Sequence, residues 1–140
     1  MNETQALREI PFFAGLAAQD LSSIVQVGER VSFEPGSNIV EAGDRGDGMY
    51  VIISGSAQVD VGGRFHVLKA GSVFGEMALL SSKKRMASVK AVEPVEALRI
   101  PGDGFREFLL VHPSVSVAML ESMAERLREV QNRIDAWIGS

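Results

Sequence analysis

The stretch Phe74-Gly75-Glu76-Met77-Ala78-Leu79-Leu80, followed after a short polar insert by Arg85-Met86-Ala87-Ser88-Val89, decides how this chain is read. Gly75 lets the backbone approach a ligand closely. Glu76 supplies two acceptor oxygens suited to a sugar hydroxyl, and Arg85 is a permanently charged fork suited to phosphate oxygens. Between them, Met77-Ala78-Leu79-Leu80 reads as one apolar helical turn whose first N–H groups would face an anion. Acceptor, cation and helix end in this order describe a pocket for a sugar phosphate.

The surroundings of the motif are β-rich. From Arg30 to Ile100, glycine and proline punctuate the sequence every few residues. Between them lie β-branched or aromatic runs at Val31/Phe33, Ile39/Val40, Tyr50 to Ile53, Val59/Val61, Phe65/Val67, Val73/Phe74, Val89, Val95 and Ile100. This is the pattern of a sandwich, roll or barrel of short strands. Gly62-Gly63 is a two-residue hairpin signal, and Pro35-Gly36 fits a type II turn. An apolar helical turn inside such a run has no place in a plain sandwich.

Helices flank the β region. Leu7, Ile10, Phe13, Leu16, Leu21, Ile24 and Val25, interrupted by Pro11 and Gly15, predict two short helices before it. After Pro101-Gly102, Asp103 is placed to cap a helix carrying Phe105, Phe108, Leu109 and Leu110, which His112-Pro113 ends or kinks. A longer helix is expected from about Ser114 to Ile138. Its apolar residues Leu120, Met123, Leu127, Val130, Ile134 and Trp137 form a heptad seam.

At 140 residues the chain has the length of one ordinary domain. Having no cysteine, it has no disulfide, thiolate nucleophile, thiolate metal site or iron–sulfur cluster. Its start does not read as a signal peptide, and no apolar run approaches a membrane span, so a cytoplasmic location without membrane insertion is expected. The 14 Lys and Arg are dispersed against 18 Asp and Glu, a net charge of −4. That balance disfavours direct nucleic-acid binding, which draws most of its affinity from phosphate contacts. An anionic ligand must then be caught locally, by Arg85 and backbone N–H groups.

Phe74 to Val89 closely resembles the phosphate-binding cassette of the cyclic nucleotide-binding domain, the cAMP- or cGMP-sensing module of kinase regulatory subunits, bacterial transcription activators and gated channels. In that family a Gly-Glu pair, a following Arg and an Ala-(Ser/Thr)-Val recur in this order. Ile10 to Leu16 is similar to the helical entry of such domains. Phe33 to Val40 and Gly43 to Gly55 resemble the first half of the β-roll, and Phe105 to Pro113 the helix after it. The resemblance implies a mainly β fold with flanking helices: a double-stranded β-helix, or jelly-roll-like β-roll, with N-terminal helices and two C-terminal helices. The whole chain, 1–140, would then be one such domain. It divides into a helical entry over 1–29, a β-roll over 30–102 with its cassette at 74–89, and C-terminal helices over 103–140.

The resemblance also implies a non-enzymatic sensor, with a cyclic nucleotide as regulatory ligand and no cofactor or metal. In the cassette, Gly75, Glu76, Met77 and Ala78 meet Arg85 and Met86. Glu76 would accept from the ribose 2′-hydroxyl, while Arg85 and the N–H groups of Ala78 and Met86 hold the cyclic phosphate. Ser88 either fixes the cassette, touches the ligand or is an ordinary strand hydroxyl. Val73, Phe74 and Leu80 are pocket wall or core. Val130, Gln131 and Ile134 of the last helix are expected to cover the base, with Arg126 and Arg133 as further candidates, although a stripe at this spacing also fits plain packing. Many cGMP-preferring members carry a hydroxyl residue directly after the arginine, and many cAMP-preferring ones an alanine. Met86 matches neither, but a thioether cannot donate a hydrogen bond, which favours cAMP.

Other functions fit less well. A cupin-like metal enzyme needs clustered His and carboxylate ligands, and His66 and His112 are far apart. Gly43 to Gly48, with Asp44 and Asp47, lacks the bidentate acid of a calcium loop. An interaction module that kept the fold and lost the ligand is opposed by intact Glu76 and Arg85. The helix-turn-helix of the activators would have to lie beyond Ser140. The heptad seam permits a homodimer or an attached output domain without indicating either, since it is shorter than roughly three to four heptads and lacks flanking charge pairs.

Overall fold

The computed structural model describes residues 2–46, 48–81 and 84–139. Among the described residues, helix α1 (Glu3–Arg8), a 3-10 turn (Pro11–Phe13) and α2 (Ala18–Val27) lead into eight strands. These are β1 (Glu29–Phe33), β2 (Asn38–Val40), β3 (Gly48–Ser54), β4 (Ala57–Val61), β5 (Arg64–Leu68), β6 (Val73–Phe74), β7 (Ser88–Ala91) and β8 (Val95–Pro101). A second 3-10 turn (Glu76–Leu79) interrupts them between β6 and β7, and α3 (Gly102–Val111) and α4 (Pro113–Gly139) follow.

The strand pairing is nested: β1 with β8, β2 with β7, β3 with β6 and β4 with β5, every pair antiparallel. A ribbon folded at the β4–β5 hairpin has been rolled up. The roll forms two four-stranded sheets, ordered β1-β8-β3-β6 and β2-β7-β4-β5. This is the jelly-roll-like architecture expected from the sequence. At the ribbon's tip, Gly62 and Gly63 both have positive φ (58° and 86°), the conformation a two-residue turn between twisted strands requires.

The central strands β3 and β8 of the first sheet are buried on both faces, which explains the unbroken apolar run of β3. Tyr50 and Ile52 point into the sandwich core with Ile39, Ala57, Val89, Val95 and Ala97. Met49 and Val51 point the other way, into a core shared with Leu7, Phe13, Leu21, Ile24, Phe105 and Val115 from the helices. Val95/Ala97 and Leu98/Ile100 of β8 divide between the same two cores.

Three local expectations change. The entry is helix, 3-10 turn, helix rather than two helices, because Pro11 starts a turn that buries Phe12 and Phe13. Asp103 does not cap α3: the helix begins at Gly102 after Pro101, and the Asp103 carboxylate accepts from Arg106 at 3.1 Å. Val95 and Ile100 belong to one strand. The long helix runs as expected, but among its described residues only Val115 and Met119 are buried. It rests on the Pro11–Phe13 turn and is tied there where the Gly15 N–H donates to Ser122 Oγ at 3.2 Å. Beyond that contact most of its heptad seam is solvent-exposed, Trp137 by 80%.

Candidate functional site

The motif occupies the crossover from one sheet to the other, since β6 belongs to the first and β7 to the second. Gly75 turns the chain out of β6 in the left-handed region (φ 79°) and caps the Glu76–Leu79 turn. An L side chain there would collide with the Arg85 guanidinium and lie 2.9 Å from the Gly48 carbonyl oxygen. Buried Ala78 and Leu79 pin the turn to the body, Leu79 in the helix-side core. The turn starts one residue earlier than the sequence suggested. The Ala78 N–H donates to the Gly75 carbonyl at 2.9 Å, so it is engaged within the turn rather than free for an anion.

Arg85 is strapped to the loop between β2 and β3. Its backbone N–H donates to the Asp44 carbonyl at 2.6 Å, and its carbonyl accepts from the Gly43 N–H at 2.8 Å. Next to it Lys84 forms a backbone bridge with Arg45. The guanidinium Nη2 donates to the Gly48 carbonyl at 2.8 Å, at the start of β3. This fixes the direction of the fork from the backbone. Arg85 and Lys84 border a hollow of about 330 Å³ together with Gly46, Gly75, Met77, Ala78, Ser81 and Met86. Two cations around one small concavity suit a phosphate.

Glu76 faces a different concavity, of about 350 Å³, between the entry turn and α4. Pro11, Phe12, Met77, Met123, Arg126, Leu127 and Val130 complete its lining. The acceptor and the cation of the motif therefore flank Met77, which borders both hollows. Val130 and Arg126 reach this second hollow. Gln131, Arg133 and Ile134 are exposed and border neither. The reason is geometric: α4 runs on past the cassette, and Ile134 lies about 6 Å further along the axis than Val130.

Of the four remaining candidates, Ser88, Val73 and Phe74 serve the framework. Ser88 Oγ accepts from the Ala42 N–H at 2.8 Å, and the residue lies on the outer face of the second sheet with Lys90, Gln58 and Asp60. Val73 packs against the helix-side core, while Phe74 packs in the sandwich and stacks on Tyr50 with ring centroids 5.1 Å apart. Leu80 ends the turn half-exposed and borders neither hollow. Asp47 of the Gly43 to Gly48 loop and Lys83 of the basic insert lie outside the described residues. Among the described residues no group of three His, Asp or Glu side chains is placed to hold a metal ion.

Sequence reasoning missed Lys84, Gly46 and Ser81 as lining, and the Gly48 carbonyl as the partner of Arg85. It also missed Phe12 and Met123 opposite Glu76. Lys84 was legible from its place beside Arg85. The others come from distant segments and had no local signal.

A jelly roll with a basic hollow at the crossover between its sheets defines a ligand-binding β-roll. The family model of the cyclic nucleotide-binding domain matches residues 30–112, and the chain belongs to that family. It is 36% identical over 106 residues to a cAMP-dependent protein kinase regulatory subunit from Aspergillus fumigatus, covering 74% of this chain and 26% of that one. It is 39% identical over 90 residues to a cGMP-dependent protein kinase from Toxoplasma gondii, covering 64% and 9%. The chain thus spans about a quarter or less of these relatives. Among solved structures, the N-terminal domain of a transcriptional regulator from Streptomyces coelicolor A3(2) superposes with a TM-score of 0.80 at 27% identity, covering 91% of this chain and 95% of that one. Among the described residues no helix is long and apolar enough to cross a membrane.

Proposed function

We infer that this chain is one non-enzymatic cyclic nucleotide-sensing unit, acting in the cytoplasm, whose ligand is cAMP. The observation that carries this reading is the Arg85 fork, aimed by the Gly48 carbonyl and paired with Lys84 around a small hollow beside Gly75. The cyclic phosphate occupies that hollow. The ribose crosses Met77 towards Glu76, and the base lies against Val130 and Arg126 of α4. Met77 is exposed, and its flexible thioether can move aside to join the two hollows. The Met86 side chain stands at the rim without a hydrogen-bond donor, which favours cAMP over cGMP.

Signalling follows from where the ligand sits. Part of its binding surface is α4, so a ligand that binds better when α4 lies close to Met77 draws the helix inward. The size of the shift is limited by that difference in affinity. The exposed heptad seam then presents the changed helix to an output domain or to a second copy. The separation of Glu76 from Arg85 is the one observation favouring an interaction module without ligand.

Calorimetric titration of nucleotide-free protein with cAMP and cGMP tests the reading. Saturable binding, tighter for cAMP, is expected. Arg85→Ala should weaken it by roughly tenfold to a hundredfold, the equivalent of about 1.5–3 kcal/mol for a charge-assisted hydrogen bond. Tighter cGMP binding would reverse the selectivity, and unchanged binding in Arg85→Ala would remove the site. No binding of either ligand would leave the interaction module.

A further inference from the structure

The ribbon's tip leaves β5 at the free edge of the second sheet, where it pairs with β4 and, among the described residues, with no other strand. Edges of this kind are commonly blunted by charge, proline, a bulge or a covering segment. The centre of β5 has none of these. Its register with β4 is regular from Val61↔Arg64 to Ala57↔Leu68, and Phe65 and Val67 are 62% and 63% exposed on the outer face of the sheet. The two-residue Gly62-Gly63 loop makes Val61 and Arg64 a hydrogen-bonded pair. Arg64, His66 and Leu68 therefore turn their backbone groups inward to β4. Phe65 and Val67 turn theirs outward, so the residues with unused backbone groups are also those with exposed apolar side chains.

We propose that β5 pairs antiparallel with β5 of a second copy of this chain, about a two-fold axis at His66. In this register Phe65 of each copy stands opposite Val67 of the other. The outward backbone groups exchange hydrogen bonds, and the apolar side chains close into one patch on the outer face. Charges are compatible: Arg64 falls opposite Leu68 of the second copy and Lys69 opposite its Gly63, so no two cations meet directly. The register is also selective. A one-residue slip sets outward groups against inward ones, and a two-residue slip sets Phe65 against Lys69 or Val67 against Gly63. His66 meets its own copy at a non-hydrogen-bonded position, and the two sheets become one continuous sheet.

The test uses the absence of cysteine from the chain. His66→Cys introduces a single thiol on the axis, where a non-hydrogen-bonded pair brings Cα atoms to about 4.5 Å, within disulfide range. Mild oxidation should convert it to a covalent dimer, whereas Gln58→Cys, one strand in from the edge, should stay monomeric. In parallel, mass is measured by sedimentation up to about 1 mM chain, because so short a seam falls below the roughly 1,200 Å² of a stable interface. The unmodified chain and Leu127→Lys, altered on the α4 seam, should move towards dimer. Phe65→Lys and Val67→Lys should remain monomeric with unchanged melting temperatures. The proposal is overturned by a monomer at every concentration, or by cross-linking no better at residue 66 than at 58. A dimer lost in Leu127→Lys and kept in Phe65→Lys would overturn it as well.

Discussion

Replacing Gly75 by alanine probes the point where backbone geometry and ligand chemistry meet. Two costs are readable from the structure. Holding an L residue at φ 79° costs about 1–2 kcal/mol. The new Cβ would also press on the Arg85 guanidinium and on the Gly48 carbonyl oxygen 2.9 Å away. Gly48 is held by its pairing with Pro101 in β8, so the group that yields is Arg85. Its hydrogen bond to the Gly48 carbonyl is then lost, adding about 1–2 kcal/mol for a charge-assisted bond that is only partly buried. The sum is about 2–4 kcal/mol, which for a chain of this length is a fall in melting temperature of about 6–15 °C. Gly36 is the control: its φ is 86°, and a Cβ there meets nothing within 4 Å, so Gly36→Ala should cost only the dihedral part. Thermal melts and calorimetric titration with cAMP on both variants give the comparison. Gly75→Ala should be clearly less stable than Gly36→Ala and bind at least about tenfold more weakly than the unmodified chain, since a displaced fork forfeits its charge-assisted bond. Equal melting temperatures together with unchanged affinity would refute the account of Arg85 as a side chain aimed by Gly48 and given room by Gly75.

Ser88→Ala removes the acceptor for the Ala42 N–H, which lies at an exposed position where water can replace it. A loss of about 0.5–1.5 kcal/mol in urea unfolding is expected, with cAMP affinity little changed. Met86 is 90% exposed, so Met86→Ala should leave stability within about 0.5 kcal/mol, while Met86→Thr should raise the affinity for cGMP relative to cAMP in competition titrations. Phe105 is fully buried against Phe13, with ring centroids 5.7 Å apart, and Phe105→Ala should cost about 3–5 kcal/mol by equilibrium denaturation.

Much of the fold was legible because its signals are local. The Gly62-Gly63 turn, the type II turn at Pro35-Gly36 and the alternation of short β runs each depend on a few neighbouring residues. The Glu34 carbonyl does accept from the Ser37 N–H at 3.1 Å across the second of these. The cassette was legible for the same reason, since Gly75, the apolar turn and Arg85 follow one another within a dozen residues. Asp103 misled because an acidic residue near a helix start suits either a cap or an ion pair within the first turn, and the pairing of β8 decided where the helix began. Ser88 was undecidable along the chain, because a strand hydroxyl acquires its role from whichever backbone group lies opposite, here that of Ala42.

The sequence by itself determined a β-rich region of short strands, the helical flanks, the anion-suited motif and the absence of thiol chemistry, all of which rest on residue type and short-range spacing, while the family resemblance singled out the β-roll from sandwich, roll and barrel. Only the tertiary structure decided which partners complete the site. Gly48 reaches Arg85 across the roll, and Val130 and Arg126 reach the Glu76 side through the docking of α4 on Pro11–Phe13, while Gln131 and Ile134 pass by. These are contacts between segments far apart in the chain. Their distances are set by the packing of two sheets and a helix, and no short window of sequence contains them.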